Sequence, residues 1–415
     1  MRSISILITT VAVILSLPAL SMGQEETASP GTAPAPDWNA GKGATASIEI
    51  LGPGGTSLRR TYGVVLGEPG RLVLRLTDLA GGEKAIATFR DGRKADAFAV
   101  YALDPIQDIA ILETTAPLPT PPQPALAIKW RPNAKVFVLP GADMGDEALE
   151  LTVTEPFEQG KIRVVPLSGD LPGGLAVMDV QGKWIGLTGR FEDASGRFAY
   201  LTSSEQIVPV LFGSETRRPI AGLGVTAPDW QSPREATGML VRGVLRSFQK
   251  PQEAPPFFDL AIQRDRTMPE IYFWMGKNAF RQQKYADAEA SFREAIRIKP
   301  DWAMAYHMAG AAANQQGHYD VALELYEQGL KVNPNNAMTL TNKAGALHNL
   351  GRIPESIEVL KRAIEVDPTY ALAIHNLGVT YVTTGNRTEA EALYAKLATL
   401  DKYLAKSLRD RLDGK

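Results

Sequence analysis

Apolar positions along this chain follow two different rhythms. From Gly43 to about Gly213 they come as short alternations broken by Gly, Pro and Asp. Ala46-Ser47-Ile48-Glu49-Ile50, Leu72-Val73-Leu74-Arg75-Leu76, Ile86-Ala87-Thr88-Phe89 and Ile109-Ala110-Ile111-Leu112 are typical. Val136 to Leu139, Leu149 to Val153 and Phe198 to Leu201 continue the series. Alternation at period two with turn residues between the pieces predicts an all-β barrel or sandwich. The first helical stretch of any length is Ser204 to Leu211.

From Pro269 to Lys402 the rhythm is helical, and a longer period of 34 residues lies over it. Counting from the start of each unit, offset 8 holds Gly276, Gly310, Ala344 and Gly378, and offset 20 holds Ala288, Ala322, Ser356 and Ala390. Small residues there let the two helices of a unit approach closely. Offset 4 holds Tyr272, Tyr306, Leu340 and Ile374, and offset 24 holds Phe292, Tyr326, Leu360 and Tyr394, large groups that fill the space between units. Gly317, Gly351 and Gly385 at offset 15 stand where the first helix must stop, because glycine accepts a positive φ. Pro300, Pro334 and Pro368 at offset 32 close the second helix. The pattern resembles the tetratricopeptide family, four units spanning 269–302, 303–336, 337–370 and 371–402. The resemblance implies a helical solenoid that binds a protein or peptide partner on its concave face. Residues 403–415 read as a capping helix, with Leu404, Leu408 and Leu412 at helical spacing.

That resemblance also places a groove on the first helix of each unit. Carried over by position, its lining is Phe273, Lys277, Phe280 and Arg281, then His307, Asn314 and Gln315, then His348 and Asn349, then His375. Met304, Met338, Thr341, Leu372, Val379 and Thr383 complete it. Lys277 and Arg281 share one helix and the later units lack basic groove residues, so the clamp by which some members grip a C-terminal carboxylate is not expected.

Composition narrows the chemistry. The 415 residues include no cysteine, which removes disulfides, thiolate metal sites and a cysteine nucleophile. The formal net charge of −2 leaves no basic surplus for nucleic acid. The four histidines, His307, His318, His348 and His375, all lie in the repeats. His307 and His375 share an offset but stand two units apart, beyond one tetrahedral site, so neither a metal nor another cofactor is expected. Residues 1–23 read as a secretory signal: Arg2, an apolar run from Ile4 to Leu17, and Ser21-Met22-Gly23 before Gln24. That run falls short of the roughly 20 residues that span a bilayer, so export to the periplasm or beyond, with no stable membrane insertion after cleavage, is expected. Residues 24–42, rich in Pro, Gly, Ala and Thr, read as a disordered leader.

Within 43–213 several motifs come in a familiar order. Phe89-Arg90-Asp91-Gly92-Arg93 is a turn, Asp104 precedes Asp108-Ile109-Ala110-Ile111-Leu112, and Pro172-Gly173-Gly174 precedes Gly182-Lys183-Trp184-Ile185-Gly186. These resemble the HtrA/Deg branch of the trypsin-like serine proteases, which implies a double β-barrel. The resemblance puts Thr77 at the histidine position, Asp108 at the triad aspartate and Pro172 at the nucleophile. A hydroxyl needs a positioned imidazole to become a nucleophile, and proline supplies neither hydroxyl nor backbone N–H to an oxyanion hole. A catalytically inactive, trypsin-like domain joined to a repeat array is therefore the expectation. The alternative is a serine endopeptidase with a rearranged site, using Ser168 with Lys161, whose repeats recruit substrate. Residues 214–264 connect the halves; Ala221 to Val225 and Gly238 to Val244 resemble the opening of a PDZ domain, Pro251 to Pro256 a linker, and Phe257 to Arg264 a short helix.

Overall fold

The computed structural model describes residues 39–414 except 67–70, 115–117, 120, 123, 126–127, 129, 131–133, 154–155, 160–161, 170, 194–195, 212–217, 226–227, 229–230 and 233. The signal segment and nearly all of the leader lie outside the described residues, as does Lys161; helix begins at Asn39, inside the span read as leader. The chain divides into two compact units, with the boundary between Arg266 and Thr267.

In the first unit α1 (Asn39–Ala44) leads into β1 (Thr45–Leu51), β2 (Ser57–Leu66), β3 (Arg71–Arg75), β4 (Lys84–Phe89), β5 (Lys94–Asp104) and β6 (Ile109–Thr114). These six are antiparallel in the order β5-β4-β1-β2-β3-β6, and β5 pairs with β6 to close a barrel. The alternation seen in the sequence puts Ile48, Ile50, Val65, Leu72, Leu74, Phe89 and Leu112 inside it.

The second barrel uses β7 (Ala134–Val138), β8 (Leu149–Val153), β9 (Phe157–Gln159), β10 (Ile162–Pro166), β11 (Ala176–Met178), β12 (Trp184–Asp193) and β13 (Gly196–Ser203), in the order β8-β7-β11-β12-β13-β10-β9. A bridge between Val153 and Leu167 joins its two ends. Val64, Val73, Ile111, Leu139, Trp184 and Ile207 form a core between the barrels. The double barrel that the resemblance implied is thus the fold of this region.

Downstream of the second barrel, the PDZ-like reading of 214–264 is corrected. After α2 (Ser204–Leu211), β14 (Arg218–Pro219) returns to pair with β5, and Ile220 enters the first barrel's core. Gly238 to Val244 is no strand: it lies within α3 (Ala236–Gln249), which packs on β13 and β10. Every residue from Gly238 to Ser247 is buried. Helix α4 (Pro255–Arg264) then packs on α3. The glycines permit these approaches: a Cβ at Gly238 would fall 1.7 Å from the Ser232 carbonyl oxygen, and one at Gly243 2.6 Å from the Phe258 ring. Arg242 donates to the Gln231 and Gly238 carbonyls, and its guanidinium carbon stands 4.8 Å from the Phe191 ring centroid.

The second unit is helical throughout. Its pairs are α5 (Pro269–Arg281) with α6 (Tyr285–Ile298), α7 (Ala303–Gln315) with α8 (Tyr319–Val332), α9 (Ala337–Asn349) with α10 (Ile353–Val366), and α11 (Ala371–Thr383) with α12 (Arg387–Ala398). Helix α13 (Lys402–Leu412) completes the row. Gly317, Gly351 and Gly385 end the first helices at φ of 79°, 74° and 81°, and Gln283 takes the same conformation in the first unit at φ 60°. The glycines at offset 8 make room for the aromatic at offset 24 of their own unit: a Cβ on Gly276 would fall 2.8 Å from the Phe292 ring, and one on Gly310 2.7 Å from Tyr326. Among the described residues no helix is long and apolar enough to cross a membrane.

Candidate functional site

The three positions at which the protease resemblance locates a triad meet in one cleft, and the cleft is filled. Asp108, 3% exposed, stands between β5 and β6 at φ 57°. Its Oδ1 accepts the backbone N–H of Thr77 at 2.8 Å, and its Oδ2 accepts the Thr77 hydroxyl at 2.9 Å and Arg75 Nε at 3.0 Å. Arg75 Nη2 also donates to Thr77 Oγ1 at 2.8 Å. The threonine hydroxyl therefore gives its proton to the carboxylate and takes one from the guanidinium. The sequence reading expected Asp108 to accept amides where its own strand begins. The amide it accepts is instead on the other side of the cleft, and Asp104 caps the local turn, accepting Ile106 N and Gln107 N.

Arg75 is the side chain that the sequence reading missed. It extends from the end of β3 over the Pro172 loop, so closely that a Cβ on Gly173 would fall 2.6 Å from its Cδ and 2.7 Å from its Nη1. Burial works against its charge, but the carboxylates of Asp78 and Asp108 outweigh that and hold its pKa above the usual arginine range. Asp78 is itself bonded by the Thr61 hydroxyl at 2.5 Å. From the second barrel, Tyr200 bonds to Asp108, and burial together with that carboxylate pushes its phenol pKa up. Gln231, just before α3, donates to the Tyr200 hydroxyl at 3.2 Å. One signal could have revealed Arg75: a buried carboxylate without its imidazole needs another cation, and Arg75 is the nearest upstream.

Around Pro172 the backbone is tied down. Thr188 Oγ1 donates to the Pro172 carbonyl at 2.7 Å and accepts Leu175 N at 2.9 Å, and Gly174 N donates to the Thr188 carbonyl at 2.6 Å. Gly174 is at φ 85°, and a Cβ there would fall 2.0 Å from the Tyr62 carbonyl oxygen. Ser168 lies apart from this network. It is exposed, and its Oγ accepts the Thr152 amide at 3.0 Å where the second barrel closes.

In the repeat unit, consecutive first helices pack on one another, α5 on α7, α7 on α9, α9 on α11 and α11 on α13. Each second helix packs between its own partner and the next unit's first helix. This contact pattern buries offset 5, which the sequence reading had placed in the groove. Phe273 is 7% exposed and stacks on Trp302 with ring centroids 4.4 Å apart. His307 is 1% exposed; its Nδ1 stands 3.0 Å from Thr339 Oγ1 and its Nε2 3.4 Å from Asn342 Nδ2. A neutral imidazole satisfies both contacts, accepting at Nε2 and donating at Nδ1, and burial lowers its pKa to about 4. Thr341 is buried as well, bonded to Ala337 O. His375 Nε2 stands 3.2 Å from Ser407 Oγ of α13. Ser407 follows Thr339, and His375 follows His307, by the same two periods, so α13 occupies the place of a fifth first helix. Phe273, His307, Thr341 and His375 are joints between units. Val379, at offset 9, is buried too.

Offsets 9, 12 and 13 keep a partly open set: Lys277, Phe280, Arg281, Asn314, Gln315 and His348 are half-buried and Asn349 is exposed. Burial and the neighbouring Arg281 lower the Lys277 pKa to about 7, and burial lowers that of Arg281 to about 10. The Lys277 ammonium stands 4.3 Å from the Trp274 ring centroid.

Four family models match the helical unit: tetratricopeptide repeats at residues 269–302, 303–336 and 371–400, and a TPR repeat at 344–385. No curated protein matches the sequence. Among solved structures, YrrB, "a TPR protein with an unusual peptide-binding site", is 23% identical over 43% of this chain and 94% of its own, with a TM-score of 0.37. MamA from Desulfovibrio magneticus RS-1 is 21% identical over 40% of this chain and 94% of its own, with a TM-score of 0.38. The HtrA-type protease AlgW, solved with a tripeptide, is 18% identical over 41% of this chain and 59% of its own, with a TM-score of 0.35. Residues 269–400 of this chain are tetratricopeptide repeats.

Proposed function

We propose that this chain is an exported, non-catalytic interaction protein, in which the repeat array holds a protein or peptide segment and the barrel domain has a protease's shape without its reaction. The observation that carries this reading is the Arg75–Thr77–Asp108 network. Asp108 spends its acceptor capacity on a guanidinium, a hydroxyl and an amide, and no imidazole exists in the barrel unit to take a proton from a nucleophile. Pro172 at the elbow has no hydroxyl to attack with and no N–H for an oxyanion. Repeats of this kind support protein binding, and the half-buried amide, aromatic and basic side chains at offsets 9, 12 and 13 suit an extended segment. Residues 1–23 support export to the periplasm or beyond.

The test is incubation of the mature protein with a fluorophosphonate probe and, separately, with fluorescent casein at neutral pH. No labelling and no proteolysis are expected. Labelling that disappears in Ser168→Ala would establish the rearranged endopeptidase instead. For the array, Asn314→Ala is expected to reduce capture of a periplasmic partner while leaving the helical circular dichroism unchanged. Capture unaffected by that substitution would remove the groove from the reading.

A further inference from the structure

Charge is divided between the two helices of every repeat. On α5, α7, α9 and α11 Glu270 is the single carboxylate, whereas α6, α8 and α10 carry three each and α12 two. The first helices are the ones packed directly against each other, so their open side is the inner wall of the array. Two cations of that wall, Lys277 and Arg281, lie one turn apart on α5. Farther along, Asn314 and His348 occupy the same offset in consecutive units. In each of them the acceptor is turned inward: Asn314 Oδ1 and His348 Nδ1 are buried and meet no hydrogen-bond partner among the described residues. The groups that face outward are then the amide N–H2 of Asn314 and the Nε2 of His348. The remaining basic group on α9, Lys343, is paired at 2.8 Å with Glu327 of α8.

We propose that the inner wall of the array recognises an acidic, extended protein segment, its side-chain carboxylates on Lys277 and Arg281 and its carbonyl oxygens on Asn314 and His348. This rests on the array being a peptide-binding groove, as proposed above, and adds the chemistry of the occupant. A wall of donors and cations attracts acceptors and anions, and the acidic outer helices disfavour the same segment elsewhere on the surface. Proton linkage should accompany binding. Lys277 loses its proton near pH 7 in the free protein, and a bound carboxylate favours the charged form. Affinity should therefore be highest below pH 7 and fall as the pH rises to 8.5.

The experiment uses the full mature chain and three fluorescein-labelled twelve-residue peptides of Ser and Leu that also contain Glu, Lys or Gln. Anisotropy titrations are expected to show the Glu peptide binding about tenfold or more tighter than the Gln peptide, with affinity falling as salt is raised. The Lys277→Gln and Asn314→Ala double variant should lose most of that preference. If it does not fold by circular dichroism, His348→Gln, at a half-exposed position, takes its place. Equal affinity for the Glu and Gln peptides overturns the acidic preference and leaves peptide capture standing. A Glu preference that survives the substitutions moves the site away from this wall and overturns the assignment. Binding of none of the three overturns both readings.

Discussion

Asp108→Asn provides the most direct test of the filled cleft. The carboxylate is 3% exposed and accepts three hydrogen bonds, one of them from a guanidinium whose side chain is 14% exposed. The second carboxylate near Arg75, Asp78, is 3.9 Å away and already bonded by Thr61, so it cannot fully replace the first. Removing one partner of a buried ion pair costs about 3–5 kcal/mol, because the other charge is left in a poorly solvated place. Alanine would add about 1 kcal/mol of backbone cost at φ 57°; asparagine tolerates that conformation and keeps the shape. Urea unfolding of the full chain, followed by tryptophan fluorescence for the barrels and by ellipticity at 222 nm for the array, separates the two units. With a urea slope of about 3 kcal/mol/M, the barrel midpoint should fall by roughly 1–1.5 M while the array midpoint stays put. Arg75→Met in the same background should restore part of the loss, giving a coupling above about 1 kcal/mol in the double-mutant cycle. A barrel midpoint that moves by less than about 0.3 M, or two effects that simply add, would refute the idea that this network locks the cleft.

The repeat unit supplies three further tests. His307 is neutral when folded, with its pKa lowered from 6.5 to about 4; the unfolded chain takes up the proton first, so array stability should decline as pH falls from 6.5 toward 4, by about 3 kcal/mol in all. Thermal melts at pH 7, 6 and 5 check this, and His307→Gln should flatten the slope. Gln283 holds a φ of 60° at the offset where the other units have glycine, so Gln283→Gly should raise array stability by about 0.5–1 kcal/mol in urea titrations. Gly310→Ala would put a methyl 2.7 Å from the Tyr326 ring and 3.2 Å from the Ala322 carbonyl, and should cost about 1–3 kcal/mol in the same measurement.

Features with local or compositional causes were legible in the amino-acid sequence alone. A period of 34 with small residues, aromatics, glycines and prolines at constant offsets can satisfy one arrangement of paired helices, because each residue's neighbours are its own unit and the next. The lack of any histidine before His307 bounded the chemistry of the barrel domain without coordinates. The alternation of 43–213 identified strands because one face of each meets a core, and Ser204 to Leu211 is helical as its pattern predicts. The group that fills the empty place was settled by tertiary packing: Arg75 reaches Asp108 across 33 positions of sequence, and no local signal records that approach. Packing also settled Gly238 to Val244, an apolar, glycine-bearing run that serves equally as a buried strand or as a helix buried all round; docking on β13 and β10 selected the helix. At offset 5 the first helix of the following unit covers Phe273, His307 and Thr341, and α13 covers His375. Whether a position on a helix faces a groove or a neighbour depends on how the next helix is tilted, and that angle is set by side chains 34 residues away rather than by the position itself.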